Sequence, residues 1–205
     1  MEEKIYVYCI IPLSEKKQFG NIGLNGNSVY AMDYKDVSAV VSDCSDLNPQ
    51  PSEENAKIHE NVIKEIMISS NSVVPMAFGM IFANEKILKS IIKTAYIAVK
   101  KALNAVEGKL ELGVRVIAKE GAENRNGISD EIFGTLKEKS EETKKGNLFS
   151  DRLILNGHFL VKKDRMGEFS NNVEELESKY PNLKFHYSGP WAPYNFVKIN
   201  IGADK

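Results

Sequence analysis

The run Asn84–Gly108, NEKILKSIIKTAYIAVKKALNAVEG, and the stretch that follows it, Lys109–Val116, KLELGVRV, decide the architecture. In the first, Ile87, Leu88, Ile91, Ile92, Ala95, Tyr96, Val99, Ala102, Leu103 and Val106 recur at i, i+3, i+4. That spacing puts apolar side chains on one stripe of an α-helix. Asn84 can cap the first turn and Gly108 can end the last. The period then changes: Leu110, Leu112, Val114 and Val116 alternate with Glu111, Gly113 and Arg115, as in a strand with one buried face. A long helix stopped by glycine, followed at once by a new strand, predicts two units, residues 1–107 and 108–205.

Upstream, Ile5, Val7, Cys9 and Ile11 alternate with Tyr6, Tyr8 and Ile10, so both faces are largely apolar. This predicts a central strand ended by Pro12. Gly20–Asn27 is turn-rich. Val29–Tyr34 and Val37–Ser42 flank Lys35-Asp36 as a hairpin would. Pro49 and Pro51 break the chain, and Ser52 opens a helix with Ile58, Val62, Ile63, Ile66 and Met67 on one stripe. Val73–Phe82 is predicted extended, with an interruption at Gly79.

Downstream, Gly121–Gly127 is turn-like and Ser129 is placed to cap a helix holding Ile132, Phe133 and Leu136. Glu138–Lys145 has no apolar face and is predicted mobile. Leu153–Val161 forms a strand, with Asn156-Gly157 as a bulge. Asp164 caps a helix striped by Met166, Phe169, Val173, Leu176 and Tyr180, stopped by Pro181. Leu183–Tyr187 and Phe196–Ile201 close the second unit around Gly189–Pro193. The sum, βββαβα followed by βαβαββ, predicts an α+β protein of two domains, each a mainly antiparallel sheet with helices packed on one face.

Composition excludes several functions. Of 205 residues, 42% are hydrophobic and 27% charged, an ordinary globular balance rather than a disordered one. Twenty-seven basic and 28 acidic side chains leave a net charge of −1. Such a chain has no field to gather nucleic acid or an anionic membrane, and no acidic excess of the kind that suits concentrated salt. Cys9 and Cys44 lie in unrelated contexts without a CxxC spacing, which predicts free thiols in a reducing cytoplasm. Met1-Glu2-Glu3-Lys4 is acidic, so no secretory signal is expected. The apolar run Val73–Ala83 falls well short of the ~20 residues that span a bilayer.

Catalytic patterns fail one by one. His59-Glu60 has no second histidine at i+4, so a zinc-protease helix is not formed. No G-x-S-x-G elbow or P-loop occurs, and Gly20, Gly23 and Gly26 precede hairpin strands rather than a helix. Paired carboxylates such as Glu174-Glu175 sit in solvated runs. No catalytic residue, cofactor site or metal site is predicted. The segment Tyr187–Val197 differs in kind. It holds the only tryptophan, Trp191, with Pro190, Pro193, Tyr194 and Phe196. Prolines stiffen it, which suits docking, while Trp191 would equally well plug the core between strands.

Four features resemble the gas vesicle accessory proteins of the GvpF/GvpL family. They are Ile5–Ile10, the strand Val37–Ser42, the helix of His59-Glu60 with Val74-Pro75-Met76 and Phe78-Gly79, and Gly189-Pro190-Trp191-Ala192-Pro193-Tyr194-Asn195-Phe196-Val197. The last is similar to the family's G-P-W-P-P-Y-x-F ending, with Ala192 in place of a proline. Ala77 stands where the family usually has arginine. The resemblance implies a modified ferredoxin-like fold in each domain and a non-enzymatic role in gas vesicle assembly or nucleation. It also implies a place as a minor vesicle component, and partners that include the small hydrophobic shell protein of GvpA type and other accessory proteins. Residues expected at such contacts are Phe78, Gly79, Gly189, Pro190, Trp191, Pro193, Tyr194 and Phe196. The alternative is a ligand-sensing or enzymatic α+β protein with a pocket between the units, using His59, Glu60 and Arg115.

Overall fold

The structure, a computed structural model, describes residues 4–45, 50–119, 125–197 and 199. The chain divides into two compact units that meet between Glu107 and Gly108. The first runs β1 (Lys4–Pro12), β2 (Gln18–Gly20), β3 (Val29–Tyr34), β4 (Val37–Cys44), α1 (Glu53–Ser69), β5 (Val74–Pro75), β6 (Ile81–Phe82) and α2 (Glu85–Ala105). Its strands are ordered β2-β3-β4-β1-β5, with β6 also pairing to β1.

All seven residues from Ile5 to Ile11 are buried, because β1 is covered on both faces. Ile5, Val7 and Ile10 join Val37, Ala39 and Val41 of β4 and Leu88, Ile92, Ala95, Val99 and Leu103 of α2 in one core. Tyr6 and Tyr8 point the other way, to His59 on α1. A bulge between Val7 and Cys9 shifts the alternation, which brings Ile10 onto the face of Val7. The capping predictions for α1 and α2 hold: the Ser52 side chain accepts from the Asn55 N–H and the Asn84 side chain from the Ile87 N–H.

The second unit runs β7 (Lys109–Ala118), α3 (Arg125–Lys137), β8 (Glu142–Lys145), β9 (Leu153–Lys162), α4 (Met166–Lys179) and β10 (Leu183–Trp191). The sheet order is β10-β7-β9-β8, all antiparallel, and βαββαβ is the ferredoxin-like arrangement. Both helices lie on one face, where the rings of Phe133, Phe159, Phe169 and Tyr187 follow one another at 5.2–6.2 Å. Among the described residues, the opposite face carries no helix.

Several expectations are corrected here. Glu142–Lys145 is strand β8, not a mobile stretch; its pairing partner β9 lies elsewhere in the chain, so no local pattern announces it. Its Glu and Lys side chains suit an exposed edge. Ser129 lies inside α3, which begins at Arg125, and its hydroxyl donates to the Ile154 carbonyl at 2.7 Å. Ile154 is the residue skipped in the β7–β9 ladder, so the bulge sits there rather than at Asn156-Gly157. Asp164 falls in a 3-10 turn, Lys163–Arg165, and caps nothing. β10 runs on to Trp191, and Tyr194–Phe196 is a turn rather than the start of a strand. Positions 198, 200 and 201 of that expected strand, like 121–124 of the expected turn, lie outside the described residues. The second unit ends at Phe196, and Val197 and Ile199 pack against the core of the first.

Candidate functional site

In the first unit, the predicted stripe on α1 buries His59 beside Tyr6. The His59 Nε2 lies 3.1 Å from the Met76 carbonyl oxygen, which can only accept, so Nε2 carries the proton. Nδ1 is then the acceptor for the Tyr6 hydroxyl at 2.8 Å. That hydroxyl in turn accepts from the Gly79 N–H at 3.1 Å. Burial holds the His59 pKa below its usual value and pushes the Tyr6 hydroxyl up to about 12. Phe78 packs edge-on against both rings. Gly79 has φ +86°, a conformation that glycine adopts without strain. The network is neutral and spends its protons and lone pairs on fastening the Phe78–Gly79 turn to β1 and α1.

In the second unit, Glu111 faces the helix-free side of the sheet yet is only 4% exposed. The alternating pattern predicts a solvated carboxylate there. Instead, Oε2 accepts from the Asn195 N–H at 2.9 Å, and Oε1 accepts from the Asn195 side-chain amide at 2.5 Å. The His158 Nδ1 lies 3.0 Å from Oε1. Lys144 donates to the Asn195 carbonyl and its ammonium sits 5.3 Å from the Phe196 ring centre. These bonds fold the chain after β10 back over β7. Turn bonds from the Tyr194 N–H to Ala192 and from the Phe196 N–H to Pro193 complete the loop. At its start Gly189 has φ +123°, and a Cβ there would lie 3.0 Å from the Glu111 carbonyl oxygen.

The predicted contact residues thus fall into two groups. Phe78 and Gly79 belong to the first unit, and Gly189, Pro190, Trp191, Pro193, Tyr194 and Phe196 to the second. Pro193 is buried, Phe78, Trp191 and Phe196 are half-buried, and Gly79, Gly189, Pro190 and Tyr194 are exposed. Trp191 ends β10 opposite Glu111 and donates its indole N–H to the Ser188 hydroxyl at 3.3 Å. Of the alternative's residues, His59 is committed as above, Glu60 pairs with Lys64 on α1, and Arg115 lies on the helix-free face of the second sheet. Glu111, His158, Asn195 and Lys144 escape sequence reasoning. The carboxylate's partners lie 47 and 84 positions away, so no local spacing signals them.

The helix-free face has a further feature. The register sets Ser188, Gly113, His158 and Lys144 in one cross-strand row and His186, Arg115 and Asn156 in the next. Gly113 contributes no side chain, and a cleft of about 300 Å³ opens above it. Among the described residues, no group of three or more His, Cys, Asp or Glu converges as a metal site, and no helix is long and apolar enough to cross a membrane.

Comparison with known proteins places this geometry. The family model described as gas vesicle synthesis protein GvpL/GvpF matches residues 4–128 and 117–198. The chain is 39% identical over 210 residues to gas vesicle protein F of Haloferax mediterranei, covering 100% of this chain and 98% of that protein. It is 36% identical over 209 residues to gas vesicle protein F1 of Halobacterium salinarum, again covering 100% and 98%. The crystal structure of GvpF from Anabaena sp. PCC7120 superposes with a TM-score of 0.89 at 20% identity, over 97% of this chain and 98% of that one. That of Microcystis aeruginosa GvpF gives 0.85 at 16%, over 95% and 99%. The two structures share the fold.

Proposed function

This chain belongs to the GvpL/GvpF family of gas vesicle synthesis proteins, and from that membership we propose that it is a non-enzymatic accessory protein of vesicle assembly. It works in the cytoplasm, takes part in nucleating the vesicle, and binds the small hydrophobic shell protein of GvpA type together with other accessory proteins. The observation that carries this reading is likeness along the whole chain, not in one motif. The two histidine networks support the non-enzymatic part. In each, the groups best suited to acid–base chemistry are bonded to the backbone or side chains that hold a loop in place.

A partner of an aggregating shell subunit must cover apolar surface before polymerisation does. The contact surface proposed here is the loop of Gly189, Pro190, Trp191, Tyr194 and Phe196, held from beneath by buried Pro193 and the Glu111–Asn195 bonds. Phe78 and Gly79 form a second contact. The test is co-expression with the shell protein followed by pull-down, with Trp191→Ala and Tyr194→Ala variants checked for folding. Retention by the wild type that is lost in a folded Tyr194→Ala protein supports the contact. Failure of the wild type to retain the shell protein, with the other accessory proteins present, overturns the assembly reading.

A further inference from the structure

We propose that the helix-free face of the second unit binds a small organic carboxylate, seated in the cleft above Gly113. The cleft is lined by Arg115, His158, His186, Ser188 and Trp191 over Gly113, with Asn156 and the Glu111 carboxylate also in its wall, and its volume of about 300 Å³ is at the small end of ligand sites. Its side chains are mainly hydrogen-bond donors. Arg115 gives Nε, at 3.4 Å, to Asn156 and sets its guanidinium 5.8 Å from the Phe149 ring centre, a stack that leaves the edge of the terminal N–H groups for a ligand. His186 stands directly across the strands from Arg115. A carboxylate seated between them can accept from both side chains.

The acids of this face do not fill that role. Glu111 is turned to Asn195 and His158, and Glu142 lies by Lys144 at 3.9 Å. A carboxylate fits better than a phosphate. Phosphate sites draw on helix N-termini and runs of backbone N–H groups, and both helices of this unit pack on the opposite face. Here the principal donor is a guanidinium, whose planar fork holds a carboxylate without such N–H groups. The Trp191 indole supplies a flat apolar wall for the ligand's carbon skeleton. Gly113 keeps the floor open, since a Cβ there would lie 2.7 Å from the Ser188 Oγ.

Trp191 is the only tryptophan, so its fluorescence reports this cleft alone. The experiment titrates the full chain with citrate, with inorganic phosphate, and with a glutamate-rich peptide, at matched ionic strength. Expected is a saturable change with citrate at a Kd on the order of 1 mM or tighter, weakened at least about ten-fold in Arg115→Gln and in His186→Gln. Both side chains are exposed, so the variants should melt like the wild type. Equal response to phosphate, unchanged citrate binding in a folded Arg115→Gln protein, binding of the peptide alone, or no saturable change would each overturn the proposal. The titration uses no vesicle component, so its outcome is separate from that of the assembly test.

Discussion

His59 and His158 each stand against an interior strand of an antiparallel sheet, and the two sheets use them differently. His59 gives both ring nitrogens to partners inside a unit whose central strand is covered by a helix on each side. His158 gives Nδ1 to a buried carboxylate and keeps the rest of its ring on an open sheet face. A polar group sealed under a helix must find its hydrogen bonds within the protein, or its burial costs more than it returns. One on an uncovered face can leave donors for water or a ligand. The first unit therefore turns its polar network into a fastening, while the second divides its own between a fastening at Glu111 and a free set of donors beside it.

The sharpest test of that contrast is His59→Ala. It removes the acceptor of the Tyr6 O–H and the His59 donor to the Met76 carbonyl and opens a cavity, so a loss of about 3 kcal/mol is expected in urea unfolding. A loss below about 1 kcal/mol would mean the network does not fasten the first unit. Glu111→Ala should cost less, about 2 kcal/mol, because the freed Asn195 groups can reach water. It should also shift the Trp191 emission as the loop lifts, and an unaltered spectrum with unaltered stability would show that the loop is held by something else.

Smaller effects follow from titration. Burial holds the folded pKa of His59 below its ordinary value of 6.5, so on acidification the unfolded chain binds the proton first. Its contribution is complete above that value and declines as pH falls toward the folded pKa. Stability measured from pH 8 to pH 5 in the wild type and in His59→Gln should show a shallower acid decline in the variant. At the alkaline end, Tyr6 is raised from 10.0 to about 12, so its contribution is complete below pH 10 and is lost as pH rises toward 12. Burial raises Tyr8 as well, so a tyrosinate absorbance titration should show several late-ionising tyrosines, one fewer in Tyr6→Phe. Least of all, Tyr194→Ala should change stability by less than about 0.5 kcal/mol, since the ring is 40% exposed. Its effect belongs in shell-protein retention.

Legibility in the sequence followed the range of the interactions. The helices α1 and α2 and their caps are visible because the 3.6-residue stripe and the capping side chain lie within one turn of each other. The hairpin of β3 and β4 is visible because its partners are separated only by Lys35-Asp36. Strand β8 is invisible because its stability comes from a ladder with β9. The α3 start at Arg125 and the bulge at Ile154 are missed together, since the Ser129 hydroxyl that looks like a cap is the bond between them. At the candidate site, the aromatic loop stands out by composition. The carboxylate that holds it looks like any exposed acid in an alternating strand.

The sequence by itself determined most of the helices and strands, the break before Gly108, the doubly apolar β1 and the family resemblance, because each rests on periodicity, turn chemistry or residue order that short stretches carry complete. Only the tertiary structure decided that Glu111 is buried against Asn195, that His59 and Tyr6 share a proton-donor chain with Gly79, and that a glycine floor on an uncovered sheet face gathers Arg115 with His186. Those facts depend on cross-strand register and chain return, and one residue of slip in a strand would turn every such side chain to the other face.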